Sequence, residues 1–144
     1  MGFLTFKGGV HPYDGKELSK NYPIEKYLPR GEMVFPLSQH IGAPAVPVVK
    51  KGDRVLAGQL IAEAGGFVSA PIHSSVSGMV KGIEPRLTPT GSMVNSIIIE
   101  NDQQYEEAEF IPAALEDLTE EEILDRIRKA GVVGMGGAGF PTHV

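Results

Sequence analysis

Between residues 46 and 83 short apolar pairs recur, Val48-Val49, Val55-Leu56 and Leu60-Ile61, separated by glycine turns at Lys51-Gly52-Asp53 and Ala57-Gly58-Gln59. The pairs stand too close together for helices and suit small β-strands. Strands are predicted at 45–50, 59–63, 67–70, 78–83 and 93–100, and the run Ile97-Ile98-Ile99 suits a strand covered on both faces. Pro85, Pro89 and Gly91 mark a loop, and residues 101–109 read as an acidic, solvated connector. A helix follows over 119–130. Thr119 and Glu122 form a capping box, acidic residues fill the first turn, basic ones the last, and Gly131 supplies the stop. Ile123, Leu124, Ile127 and Ala130 are expected to make one buried stripe. Ahead of the strands, residues 1–30 are broken by Gly8-Gly9, His11-Pro12, Asp14-Gly15, Tyr22-Pro23 and Leu28-Pro29, which predicts an extended arm. Its apolar anchors Phe3, Leu4, Phe6, Tyr22, Ile24 and Tyr27 need a surface to lie on, either this domain or another subunit.

The 18 glycines and 11 prolines agree with short strands and turns and disagree with a helical bundle. At 144 residues the chain buries enough surface to fold without staples. It contains no cysteine, so it forms no disulfide and offers no thiolate to zinc or iron–sulfur clusters. A net charge of −5 without any basic run argues against a nucleic-acid partner. The longest apolar runs fall far short of the roughly 20 residues that cross a bilayer. Membrane contact is therefore expected only through a partner protein.

The pattern V-x-K-G-D-x-V-x-x-G-Q-x-I, followed by A-P-x-x-x-x-V-x-G-x-V, resembles the barrel-sandwich hybrid of lipoyl and biotinyl carrier domains. Such carriers attach their cofactor to a lysine at a hairpin tip. The corresponding turn here is Glu63-Ala64-Gly65-Gly66-Phe67, and no lysine occurs between Gly52 and Val80, which leaves the frame without its reactive residue. His73, in Ala70-Pro71-Ile72-His73-Ser74-Ser75, is a candidate phosphoryl acceptor, but with no second histidine beside it in sequence a lone His between a Pro and two Ser is more often a hydrogen-bonded turn residue. His11, His40 and His143 are scattered, so no metal site is expected. The densest signal is Gly134-Met135-Gly136-Gly137-Ala138-Gly139-Phe140-Pro141-Thr142. It contains G-x-G-x-x-G, yet it follows a helix where the dinucleotide fingerprint requires a strand; a flexible linker is the plain alternative.

That longer string resembles the flavin- and NADH-binding loop of the flavoprotein subunit of respiratory complex I, with Met135 standing where those subunits carry arginine. The whole chain resembles the N-terminal part of the C subunit of the Rnf electron-transport complex. The resemblance is carried by Phe6-Lys7-Gly8-Gly9-Val10-His11-Pro12, by Pro36-Leu37-Ser38-Gln39-His40-Ile41-Gly42-Ala43-Pro44-Ala45, by Gly52-Asp53-Arg54-Val55-Leu56-Ala57-Gly58-Gln59 and by Ser69-Ala70-Pro71-Ile72-His73-Ser74-Ser75-Val76-Ser77-Gly78, besides the Gly-rich string. It implies a mainly β barrel-sandwich hybrid at 31–111, preceded by the arm at 1–30. A helix and Gly-rich loop at 112–144 would then open a truncated α/β FMN/NADH domain. It further implies a subunit peripheral to the cytoplasmic face of the bacterial inner membrane, where it meets the other subunits of a membrane electron-transport complex. That subunit exchanges electrons between NAD(H), FMN and two [4Fe-4S] clusters, coupled to ferredoxin oxidoreduction and ion transport. Gly134, Gly136, Gly137, Ala138, Gly139 and Phe140 would border the flavin and nucleotide, no catalytic side chain being assigned. Because the sequence stops just after this loop, residues 1–144 alone are expected to hold neither FMN nor clusters. A non-catalytic docking module is the alternative reading.

Overall fold

The computed structural model describes Val10 and residues 12–144, so Phe3, Leu4, Phe6, Gly8-Gly9, His11 and most of the first motif lie outside the described residues. Among the described residues seven strands form two sheets: β1 (Glu32–Pro36), β2 (Val46–Pro47), β3 (Arg54–Val55), β4 (Leu60–Glu63), β5 (Ile72–His73), β6 (Gly78–Leu87) and β7 (Met93–Asn101). The larger sheet has the order β1-β7-β6-β3 and the smaller β2-β4-β5, every pairing being antiparallel. Both contribute to one core, in which Val55, Val80, Ile97 and Ile99 of the larger sheet meet Ile61, Ala62 and Ile72 of the smaller. Ile97, Ile98 and Ile99 are all buried, as the unbroken β-branched run requires. This is a barrel-sandwich hybrid, in which the short strands β1 to β5 pack around the longer β6–β7 ribbon.

Several details depart from the sequence expectations. No strand forms at 67–70; the pairing strand is β5 (Ile72–His73). The backbone of the expected strand is engaged elsewhere. The Val68 carbonyl accepts from the Ala43 amide at 2.9 Å, and the Ala70 amide donates to His40 Nε2 at 3.1 Å. Pro85 lies inside β6 opposite Asn95, not in a loop. The Asn95 carbonyl accepts from the Leu37 amide on the β1 side, so the backbone polar groups of Asn95 point away from β6. Pro85 therefore stands at a pair position where its missing N–H would have faced the open edge, and the ladder loses nothing. The turn at the end of this ribbon is narrower than expected, closed by hydrogen bonds from Thr88 N to Ser92 O and from Gly91 N to Thr88 O, both at 2.9 Å.

Residues 101–109 are not a free connector. Glu106 O accepts from the Ala57 amide and Ala57 O from the Ala108 amide, both at 2.8 Å, laying the segment beside the turn between β3 and β4. Buried Ser77 donates to Asp102 Oδ1 at 2.6 Å and accepts from the Glu106 amide at 3.0 Å. The Ser77 hydroxyl, followed by the Gln104 amide and Arg54, holds the Asp102 carboxyl below the usual carboxylate range. Stability from this knot is complete above the ordinary carboxylate pKa and is lost as pH falls through the lowered folded value. Thermal melts should therefore fall more steeply below about pH 4 for the native chain than for Asp102→Asn. Parallel pH profiles for the two proteins would refute this.

Helix α1 (Glu120–Lys129) carries the expected capping box, Thr119 accepting from the Glu122 amide while Glu122 accepts from the Thr119 amide. Such a cap contributes on the order of 1 kcal/mol. The expected buried stripe does not form: Ile123 and Ile127 are half-buried, while Leu124 and Ala130 are exposed. The helix is attached mainly at its end, where Gly131 (φ +69°) sits so close to Pro71 that a Cβ would overlap the Pro71 carbonyl oxygen. Before β1 the chain makes one 3-10 turn (Lys16–Leu18), and Tyr22, Ile24 and Tyr27 are exposed instead of packed on this domain. The arm is fastened at its base, where the Pro29 carbonyl accepts from both Asn101 Nδ2 and the Tyr105 hydroxyl at 2.6 Å.

Candidate functional site

The hairpin tip where a carrier would display its lysine is tied down. Gly65 donates to Ser69 Oγ at 2.9 Å, Ser69 donates to the Ala43 carbonyl at 2.8 Å, and a Cβ on Gly65 would overlap the Pro44 carbonyl oxygen. Close backbone approach accounts for Gly65 in this turn. His73 is half-buried in β5 opposite Leu60, and burial lowers its pKa. The neighbouring His40, which lines the same cleft of about 310 Å³, has both ring nitrogens engaged. Its Nε2 accepts from the Ala70 amide, which leaves Nδ1–H to donate to the Ile41 carbonyl at 2.8 Å. So engaged, His40 has no free ring nitrogen to offer His73. Among the described residues no cluster of His, Asp and Glu could hold a metal ion.

The Gly-rich segment is a closed loop. Its ends pair through the bridge between Val133 and Pro141, with Gly134 N donating to Phe140 O at 2.9 Å and Gly139 N to Gly136 O at 3.2 Å. Gly137 and Gly139 have φ of +61° and +62°, where a side chain would be strained. Among the described residues the loop is docked on the hybrid through one hydrogen bond, Ile41 N to Ala138 O at 2.9 Å. Gly139 fits so tightly there that a Cβ would stand 3.2 Å from the Gln39 carbonyl oxygen and 3.3 Å from His40 Cα. Among the described residues, no acceptor meets the amides of Met135, Gly136, Gly137 or Ala138.

A cleft of about 520 Å³ opens between this loop and the hybrid. Of the six sequence candidates, Gly134, Gly137, Ala138 and Gly139 line it; Gly136 and Phe140 do not. Met135, fully exposed, also borders it, and the opposite side is made by residues 38–41 with Thr90, Ser92 and Val94. Sequence reasoning missed this second side. No charged side chain lines the cleft, which offers free amides, hydroxyls and a carboxamide. That chemistry fits a phosphate or polyol held through hydrogen bonds, and the acceptor-free amides of Met135, Gly137 and Ala138 suit the phosphate of a nucleotide such as FMN or NADH. Iron–sulfur clusters do not fit these residues, since the chain has no cysteine.

The family described as RnfC Barrel sandwich hybrid domain matches residues 4–104. Three relatives match over nearly the whole chain. The chain is 49% identical over 143 residues to the C subunit of the proton-translocating ferredoxin:NAD(+) oxidoreductase complex of Clostridium ljungdahlii, covering 97% of this chain and 31% of that protein. It is 44% identical over 142 residues to the C subunit of the Na(+)-translocating ferredoxin:NAD(+) oxidoreductase complex of Acetobacterium woodii, covering 97% of this chain and 32% of that protein. It is 44% identical over 140 residues to the C subunit of the ion-translocating oxidoreductase complex of Vibrio cholerae, covering 95% of this chain and 18% of that protein. The chain thus spans a third or less of the length of these relatives.

Proposed function

The chain belongs to the RnfC barrel sandwich hybrid family, and from that premise we propose that it is part of a subunit passing electrons between NAD(H), FMN and iron–sulfur clusters in an ion-translocating ferredoxin:NAD oxidoreductase complex. The observation that carries this reading is the set of amides at Met135, Gly137 and Ala138, without acceptors among the described residues, on three residues that line a cleft free of charged side chains. Residues 112–144 open the FMN/NADH-binding unit, and the hybrid serves as its rigid support. Gly134, Gly137, Ala138 and Gly139 approach the ligand through bare backbone, while Gly136 and Phe140 shape the loop from outside. FMN supplies the hydride and single-electron chemistry when bound. The chain's own part is to bind and orient: amides hold phosphate or flavin oxygens, and the docked loop fixes their direction. The two [4Fe-4S] clusters are ligated by residues other than 1–144.

The subunit sits peripherally at the cytoplasmic face of the bacterial inner membrane, bound to other subunits of the complex. The ion-translocating complexes to which its relatives belong support a membrane setting, while no helix among the described residues is long and apolar enough to cross a membrane. Exposed Tyr22, Ile24 and Tyr27 on the arm favour a second reading, a docking module without chemistry of its own. The readings part on one experiment. In the polypeptide as its host makes it, Gly137→Val forces a β-branched residue to φ +61° and should reduce bound FMN and NADH-dependent flavin reduction at least about tenfold. Undiminished flavin and reduction would overturn the electron-transfer reading of the loop. The 144-residue stretch prepared alone should show no stoichiometric flavin absorbance.

A further inference from the structure

The side of the cleft facing the Gly-rich loop belongs to the hybrid, and its position is set by the sheet. β1 pairs with β7, and the Leu37 amide continues that pairing to Asn95 O at 2.9 Å, so residues 38–41 emerge beside the tip of the β6–β7 ribbon. Three distant stretches of sequence thereby meet around one space: Ser38 and Gln39, Thr90 and Ser92, and the loop itself. The wall is firm. His40 is locked by its two hydrogen bonds, Gln39 Nε2 donates to the Pro36 carbonyl at 3.0 Å, and the Thr88 hydroxyl ties Thr90 Oγ1 and Ser92 O together. The hydroxyls of Ser38 and Ser92 find no partner among the described residues. Gln39 keeps its amide oxygen for an incoming donor.

Building on the nucleotide reading of the loop, we propose that the hybrid is the second half of the binding site, with Ser38, Gln39, Thr90 and Ser92 holding the sugar–phosphate portion of the nucleotide against the loop amides. The division of labour follows from charge. With neither Lys nor Arg in the cleft, a phosphate is held by amide N–H groups, while hydroxyl and carboxamide groups match the ribityl or ribose hydroxyls beside it. FMN and NADH both present this sugar–phosphate chemistry, and the test separates them.

Ser38, Thr90 and Ser92 are exposed, so Ser38→Ala combined with Thr90→Val and Ser92→Ala should lower the melting temperature by no more than about 5 °C, the cost of the one exposed Thr88–Thr90 hydrogen bond. In the polypeptide as its host makes it, the triple variant should weaken FMN binding roughly tenfold if FMN occupies the cleft. If NADH occupies it, the KM for NADH rises roughly tenfold at unchanged flavin content. Should both stay at their native values while Gly137→Val loses flavin, the hybrid is only a support and the inference falls, the loop reading surviving. Should Gly137→Val also leave both unchanged, the loop reading fails and takes the inference with it.

Discussion

Gly78→Ala is expected to destabilise the hybrid by about 3 kcal/mol or more, lowering its melting temperature on the order of 10 °C. Gly78 opens β6, is buried, and pairs with Val55 of β3 on one side and Asn101 of β7 on the other. A Cβ there would overlap the carbonyl oxygen of Glu100, a backbone atom of the neighbouring strand that no rotamer change can move. Relief requires the strands to separate at the point where the larger sheet is held together. Gly82, at the bulge of the same strand, is the matched control, because nothing lies within 4 Å of the Cβ it would gain. Gly82→Ala should melt close to the native chain. Equal melting of both variants would show that the close approach at Gly78 does not constrain the fold.

The second large effect is local. Gly131→Val places a β-branched residue at φ +69° and drives its Cβ into the Pro71 carbonyl oxygen, at the point where helix α1 meets the hybrid. The hybrid core should survive, since none of its buried members lies after Asn101. The C-terminal segment should come away. Hydrogen exchange reads this directly at the amides of Ile41, Gly134 and Thr142, whose acceptors are Ala138, Phe140 and Val132. Exchange about a hundredfold faster at these three is expected, corresponding to about 3 kcal/mol of local stability, with unchanged protection at Ile97 and Ile99. Native protection at the three amides would mean that the loop is held by contacts other than those around Pro71.

How much of this was legible in the sequence depends on whether the information was local. The central strands were, because β-branched runs and glycine turns between residues 46 and 101 report their own conformation. Helix α1 was legible from its cap for the same reason. Residues 67–70 were not: Val68 has the composition of a strand, but its backbone is satisfied by Ala43 and that of Ala70 by a histidine thirty positions earlier. Pro85 misled in the opposite direction, since whether a proline breaks a strand depends on which edge its nitrogen faces. The stripe on α1 promised a burial that only half occurred, because amphipathicity states a need for a partner without supplying one. Of the candidate site, the Gly-rich loop announced itself by composition. Its counterpart did not: Ser38, Gln39, Thr90 and Ser92 are unremarkable polar residues until the pairing of β1, β6 and β7 gathers them.

Pro85 also governs how the protein meets copies of itself. Beyond Val80 the outer side of β6 has no backbone partner among the described residues, and an open strand edge is a template on which another chain can polymerise. The proline removes a donor from that template at its middle, and Glu84 and Arg86 flank it with charge. A chain arriving edge-on would have to leave a carbonyl unpaired and desolvate two ionised groups. The ribbon can therefore be long and one-sided, reaching out to the cleft, while its open edge makes a poor template for a second chain.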